Sequence, residues 1–243
     1  MPLQRQPRFL QPLPATPSAL SAVIAYNRFG GYAIPNQSLH RPAAQAVLAG
    51  GVWEEATIAC MIAHAGDGDI VHAGTYFGDF LPALSAAIAP AAKIWAFEPI
   101  AANHACAAIT MRLNGLANVE LTQAALGCGA EMLTMVTHDA RGRAMGGGSH
   151  VAQSPDPSGP TERVRQIFLD DAIPAQRNVT VLQLDVENFE KQALSGALAL
   201  LARCKPLLIL ETVPQTDWFA GHIGSLGYAF KSEVSRNSVF SAT

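Results

Sequence analysis

Short apolar runs near residues 70–73, 93–97, 118–121, 180–184 and 206–210 alternate with longer stretches whose apolar positions recur at helical spacing. Strands that are apolar at nearly every position belong to sheets covered on both faces, so the alternation predicts an α/β fold built on a mostly parallel sheet with helices on both sides. The helical stretches carry their own start and stop signals: "PIAANHACAAITMRLNG" opens at Pro99 and ends at Gly115, and Leu194, Ala197, Leu198 and Leu201 share one face of another. Arg203 and Lys205 then suit the negative end of that second helix. A helix near 215–226 and strands near 228–234 and 237–241 close the chain as a hairpin at the sheet edge.

The pattern is different at the start and in the middle. "HRPAAQAVLAGG" reads as a short helix with Pro42 in its first turn, and "WEEATIACMIAHAGDG" as another with glutamates in its first turn, which together predict a helical cap before the sheet. Residues 1 to about 35 are rich in Pro, Gln and Gly and read as an extended arm, a candidate lid whose Tyr26, Arg28 and Tyr32 would fold over a bound ligand. Between 128 and 178 the alternation lapses: two strand-like runs, "EMLTMVT" and "ERVRQIFL", flank a Gly- and Pro-rich loop longer than compact domains usually tolerate without a function. The domain reading is an arm and cap over 1–65 and a sheet domain over 66–243 carrying a long insertion loop near 138–161.

Composition narrows the class. At 243 residues, 49% apolar and 14% charged, the chain can bury a sizeable core. A net charge of −3 without basic runs gives no electrostatic reason to expect nucleic acid or an anionic membrane. Cys60, Cys106, Cys128 and Cys204 form no C-x-x-C pair, which suits reduced thiols, and prolines interrupt any leader-like apolar centre near the start. A cytoplasmic protein acting on a small molecule is expected, with no membrane segment and with self-association left open.

The chemistry begins at "DIVHAGTYFGDFLPALS", a strand, a glycine turn and a helix. In open α/β sheets ligands sit beyond the carboxyl ends of the strands, and Gly74 and Gly78 let one approach the backbone. Glu98, at the end of the next strand, is placed to accept bonds from both hydroxyls of a ribose, so turn and acid together point to an adenosine-bearing ligand. A dinucleotide turn needs glycine where Tyr76 stands, because the pyrophosphate must touch the backbone there. S-adenosylmethionine carries the adenosine without the phosphates, which favours a methyl donor over NAD.

"VTVLQLDVENFEKQAL" places Asp185 at a strand end and Glu187 and Glu190 in the following turn. Glu190 is read as a helix N-terminal charge, whereas Asp185 and Glu187 face the same crevice as Gly74. With Glu211 they could instead make an oxygen-rich Mg²⁺ site; the reading adopted is that no metal is held.

These residues resemble the FkbM-type methyltransferases, S-adenosylmethionine-dependent enzymes that mostly methylate hydroxyl groups of sugars and natural products. The resemblance runs from about Trp53 to Glu211 and rests on "IVHAGTYFGDF", on "IWAFEPIAANHACAAITMRLNGLANVELTQAALG" and on "LQLDVENFEKQALSGALALLARCKPLLILET". It implies a class I methyltransferase sheet, Rossmann-like, of seven strands with the last antiparallel. It implies that Gly74, Thr75 and Gly78 hold the donor's methionine end, with His72, Tyr76 and Asp79 beside them in the same motif. Glu98 with Pro99 would take the ribose, Gln123, Ala124 and Ala125 the adenine, and Asp185 and Glu187 the active centre. Two positions depart from the family pattern: His72 replaces an acid, where it would bond the donor's carboxylate or a bridging water, and Asn188 replaces a glycine, whose left-handed backbone it can adopt. The function expected is O-methylation, with Asp185, Glu187 or His150 removing the acceptor's proton. The alternative is a non-catalytic ligand-binding or scaffold protein on a degenerate methyltransferase fold.

Overall fold

The computed structural model describes residues 20–242. In chain order the elements are β1 (Ala22–Asn27), β2 (Gly30–Pro35), α1 (Pro42–Leu48), α2 (Glu55–Ala65), β3 (Asp69–Ala73), α3 (Leu81–Ala87), β4 (Ile94–Phe97), α4 (Ala101–Asn114) and β5 (Val119–Thr122). There follow β6 (Ala125–Leu126), β7 (Met132–Val136), β8 (His150–Val151), β9 (Thr161–Ile167), α5 (Leu169–Ala172), β10 (Val179–Leu184), α6 (Glu190–Ser195) and α7 (Leu198–Cys204). The chain closes with β11 (Leu207–Leu210), α8 (Thr216–His222), β12 (Tyr228–Val234) and β13 (Asn237–Ala242).

Seven strands form the central sheet in the order β12-β13-β11-β10-β3-β4-β5. The last strand, β13, runs antiparallel to both β11 and β12, while β11, β10, β3, β4 and β5 pair in parallel. Because successive side chains point to opposite faces, each inner strand feeds two cores. Val71, Ala73, Leu182, Leu184, Leu208 and Leu210 pack toward α6, α7 and α8. Ile70, Ile94, Ala96, Val181 and Ile209 pack toward α2 and α3. This alternation puts His72 and Gln183, aligned on β3 and β10, on the α3 side. The point where chain order reverses lies between β3 and β10, so the crevice opens above their carboxyl ends. Among the described residues no helix is long and apolar enough to cross a membrane.

One expectation needs correction. From Ala22 to Pro35 the expected extended arm is an antiparallel hairpin, packed on α4. Asn114 fastens it by accepting from the Gly31 N–H at 3.0 Å and donating to the Gly31 carbonyl at 2.7 Å, and Thr110 Oγ1 accepts from the Ala33 N–H at 3.1 Å. Tyr26 is 67% exposed, Tyr32 is fully buried beneath the hairpin, and Arg28 pairs with Glu55 at 2.5 Å, so none of the three covers a crevice. Residues 1–19 lie outside the described residues. The two strand-like runs flanking the insertion loop form β7 and β9; β9 pairs with β7 and β6, β8 pairs with β7, and the resulting small sheet carries Gly146–Gly148 back over the end of the main one.

Candidate functional site

The turn after β3 is held open by backbone angles that favour glycine. Gly74 has φ +88°, and a Cβ built there would lie 1.9 Å from the Asp185 carbonyl oxygen, so no side chain fits between the ends of β3 and β10. Gly78, at φ +82°, serves packing, since its Cβ would meet Leu81 and Thr110. Tyr76 is itself left-handed at φ +54°, which aims its N–H at the next strand's acid.

Glu98 receives that bond. Its Oε2 accepts from the Tyr76 N–H at 2.8 Å, and its Oε1 accepts from the Ile100 N–H at 2.9 Å and Asn103 Nδ2 at 3.3 Å. A carboxylate offers about four acceptor sites. Three are taken by the protein, leaving one on Oε2, so both ribose hydroxyls can bond this carboxylate only if the long Asn103 bond yields. Burial, opposed by these bonds, raises its pKa to about 7. The Tyr76 amide, where a pyrophosphate would need a free donor, is already committed.

Two cavities meet at this turn. The first is mainly apolar, with Phe97, Ile100, Leu126, Val151 and Phe189 around Glu98. The second is polar, with Arg41, Trp53, Glu54, His72 and Asp79 in its wall. Gly74, Gly147 and Asp185 line both, which makes them the junction. Tyr76 forms the wall between loop and turn: its hydroxyl donates to Ser38 Oγ at 2.6 Å, and its ring lies under Gly146 and Gly147.

The polar cavity is rich in acceptors. Asp185 follows β10, Glu187 and Asn188 take left-handed angles of +55° and +68°, and Glu211 follows β11, so the strand ends bring three carboxylates together. Burial and then the neighbouring Glu211 and Glu187 carboxylates push the Asp185 pKa well up. Burial and Glu211 raise Glu187 to about 7, and burial with Glu54 raises Asp79 to about 7. Glu190 is buried, and its Oε1 accepts from the Val186 N–H at 3.3 Å, which keeps it a structural cap. His72 stacks on Phe80 with centroids 4.9 Å apart, and its Nδ1 lies 2.5 Å from Gln183 Oε1. With Nδ1 donating to that oxygen, Nε2 is a bare acceptor, buried and without a partner. Burial lowers this imidazole's pKa to about 4, so it is neutral at pH 7. A neutral acceptor does not suit a carboxylate; it suits the bridging water.

The structure thus brings His72, Gly74, Tyr76, Asp79, Glu98, Pro99, Ala124, Ala125, Asp185 and Glu187 to the two cavities. It does not bring Thr75, whose hydroxyl donates to the His72 carbonyl at 3.0 Å, or Gln123, whose carbonyl accepts from Arg165 Nε at 3.2 Å. His150 is also outside: side chains alternate along β8, and its neighbours Ser149 and Val151 are the ones that line the apolar cavity. Arg41, Trp53, Glu54, Gly146–Gly148 and Phe189 are lining residues that sequence reasoning missed. The triple glycine of the loop was the one local signal for any of them.

Compared with known proteins, residues 72–228 match the family model described as Methyltransferase FkbM domain. Among solved structures, the chain is similar to methyltransferase FkbM from Methylobacillus flagellatus KT, with 14% identity and a TM-score of 0.50 over 72% of this chain and 44% of that one. It therefore spans less than half the length of that protein. A methyltransferase from Geobacter sulfurreducens matches with 16% identity and a TM-score of 0.47 over 84% of this chain and 86% of that one. A SAM-dependent methyltransferase from Aquifex aeolicus matches with 13% identity and a TM-score of 0.42 over 76% of this chain and 86% of that one. Among curated proteins, none matches this sequence.

Proposed function

The chain belongs to the FkbM methyltransferase family, whose methyl donor is S-adenosylmethionine, and from that premise we propose that it methylates a hydroxyl oxygen of a small polyhydroxylated molecule, a sugar or a natural product of similar character. The observation that carries this reading is the junction at Gly74 and Asp185 of one apolar and one polar cavity. The apolar walls of the first suit an adenine, and the carboxylates of the second supply acceptors to a molecule rich in hydroxyl donors.

The donor's fit is supported by the committed Tyr76 amide, which leaves nothing for a phosphate. Glu98 holds the ribose through its remaining acceptor site, and Gly74 and Gly147 give the methionine end its passage between cavities. When bound, the donor would supply an electrophilic methyl carbon on a positively charged sulfur, which would leave as a neutral thioether when the acceptor oxygen takes the methyl group. The protein's part is alignment and proton removal. Glu187, with its pKa near 7, lines the polar cavity and takes the acceptor's proton, while Asp185 orients the hydroxyl.

Calorimetric titration tests this. S-adenosylmethionine and its demethylated product should both bind the full chain, and NADH should not. If neither sulfur compound binds, or if NADH binds in their place, the reading is wrong.

A further inference from the structure

We propose that Asp185, Glu187 and Glu211 hold a divalent cation of the Mg²⁺, Mn²⁺ or Ca²⁺ kind, and that this cation carries the acceptor's hydroxyl. One oxygen from each of the three lies within 4.8 Å of the others. Two oxygens bound to one hard cation at distances of roughly 2.0–2.6 Å can be at most about 4–5 Å apart. The three therefore reach a common centre with small side-chain adjustments. Their placement is set by the backbone: Asp185 N–H bonds the Ala73 carbonyl at 3.1 Å and Glu211 N–H bonds the Leu184 carbonyl at 3.0 Å, which sets the ends of β3, β10 and β11 side by side.

Among the described residues, the ion pairs formed do not include any of these three acids. The second observation is independent of them. His72 is 2% exposed, lines the same cavity, and leaves Nε2 buried with no partner while Gln183 and Phe80 hold the ring in place. Because Nδ1 spends its proton on Gln183, Nε2 can only accept. An unpartnered acceptor on a residue that lines the same cavity as the three acids takes a donor from outside the chain, and a water on a cation is a donor polarised toward it. The histidine that departs from the family pattern thus becomes the positioning partner of a cation's water.

The inference deepens the methyl-transfer reading, since a hydroxyl on such a cation loses its proton more readily and its oxygen is fixed near the junction. With a cation present, Glu187 gives it one oxygen and keeps the other to take the proton of the cation-bound hydroxyl, while Asp185 and Glu211 complete the ligand set.

The test uses the full chain without donor, titrated with MnCl₂, MgCl₂ or CaCl₂ alone and followed by calorimetry, thermal unfolding and, for Mn²⁺, electron paramagnetic resonance. One cation per chain is expected, together with a higher unfolding temperature. Glu211→Gln should weaken binding at least tenfold, Glu211→Asp should restore part of it, and His72→Phe should alter the Mn²⁺ signal through its bound water. Wild type without added cation should still bind S-adenosylmethionine, which separates failure of this inference from failure of the donor site. The proposal is overturned if the three cations bind wild type no more tightly than Glu211→Gln. It is equally overturned if a small organic ammonium stabilises the wild type and divalent cations do not.

Discussion

Replacing Glu98 with glutamine raises the dissociation constant for S-adenosylmethionine roughly 30- to 150-fold, a loss of about 2–3 kcal/mol. Two effects add. An amide turns an N–H₂ toward either the Tyr76 or the Ile100 N–H, leaving opposed donors in a buried site, and the remaining oxygen is less basic toward a ribose hydroxyl. The same carboxylate gives donor binding a pH dependence. Burial puts the pKa of Glu98 near 7, so as pH falls below that value the group takes up a proton and loses acceptor strength. Affinity should therefore be full above neutrality and fall toward tenfold per pH unit below it, and this inflection should disappear in Glu98→Gln. Calorimetry between pH 5.5 and 8.5 checks both. A flat profile in the wild type would show that the carboxylate is not the ribose partner.

Gly74→Ala is expected to cost about 2–5 kcal/mol of stability and to remove donor binding in whatever fraction folds. The left-handed angle accounts for part of the loss. The rest comes from the Asp185 carbonyl, which stands 1.9 Å from the added carbon and must move, carrying the end of β10 with it. Gly115→Ala is the control. It has φ +62° at the end of α4, but its added carbon meets nothing within 4 Å, so it should cost only about 1–2 kcal/mol and leave donor affinity unchanged. Chemical denaturation and calorimetry on the pair separate backbone strain from displacement of the end of β10. Equal losses in the two variants would contradict the account of Gly74.

The central strands were legible because a strand buried on both faces, such as Val179–Leu184, leaves an apolar run that few other structures explain. The β1–β2 hairpin was not. Its residues Ala22–Asn27 and Gly30–Pro35 alternate weakly, and its stability comes from Asn114 and Thr110, more than 75 positions downstream. The same division runs through the site. Gly74, Glu98 and Asp185 could be found because a backbone constraint or a strand-end position fixes where they point. Arg41, Trp53 and Glu54 reach the polar cavity only through the way α1 and α2 sit on the sheet, which no local pattern encodes. His150 shows the limit from the other side: its loop was a sound candidate, but one step along a strand turns a side chain to the opposite face. His72 was legible as a departure, whereas the direction of its free lone pair depended on Gln183, aligned with it across the sheet.

The most direct test of the two-cavity account is a crystal structure of the protein with S-adenosylhomocysteine. The account predicts the adenine among Phe97, Ile100 and Leu126, a ribose hydroxyl on Glu98, and the sulfur at the junction of Gly74, Gly147 and Asp185, facing the carboxylates. A ligand lying elsewhere, or one whose sulfur points away from the polar cavity, would contradict it.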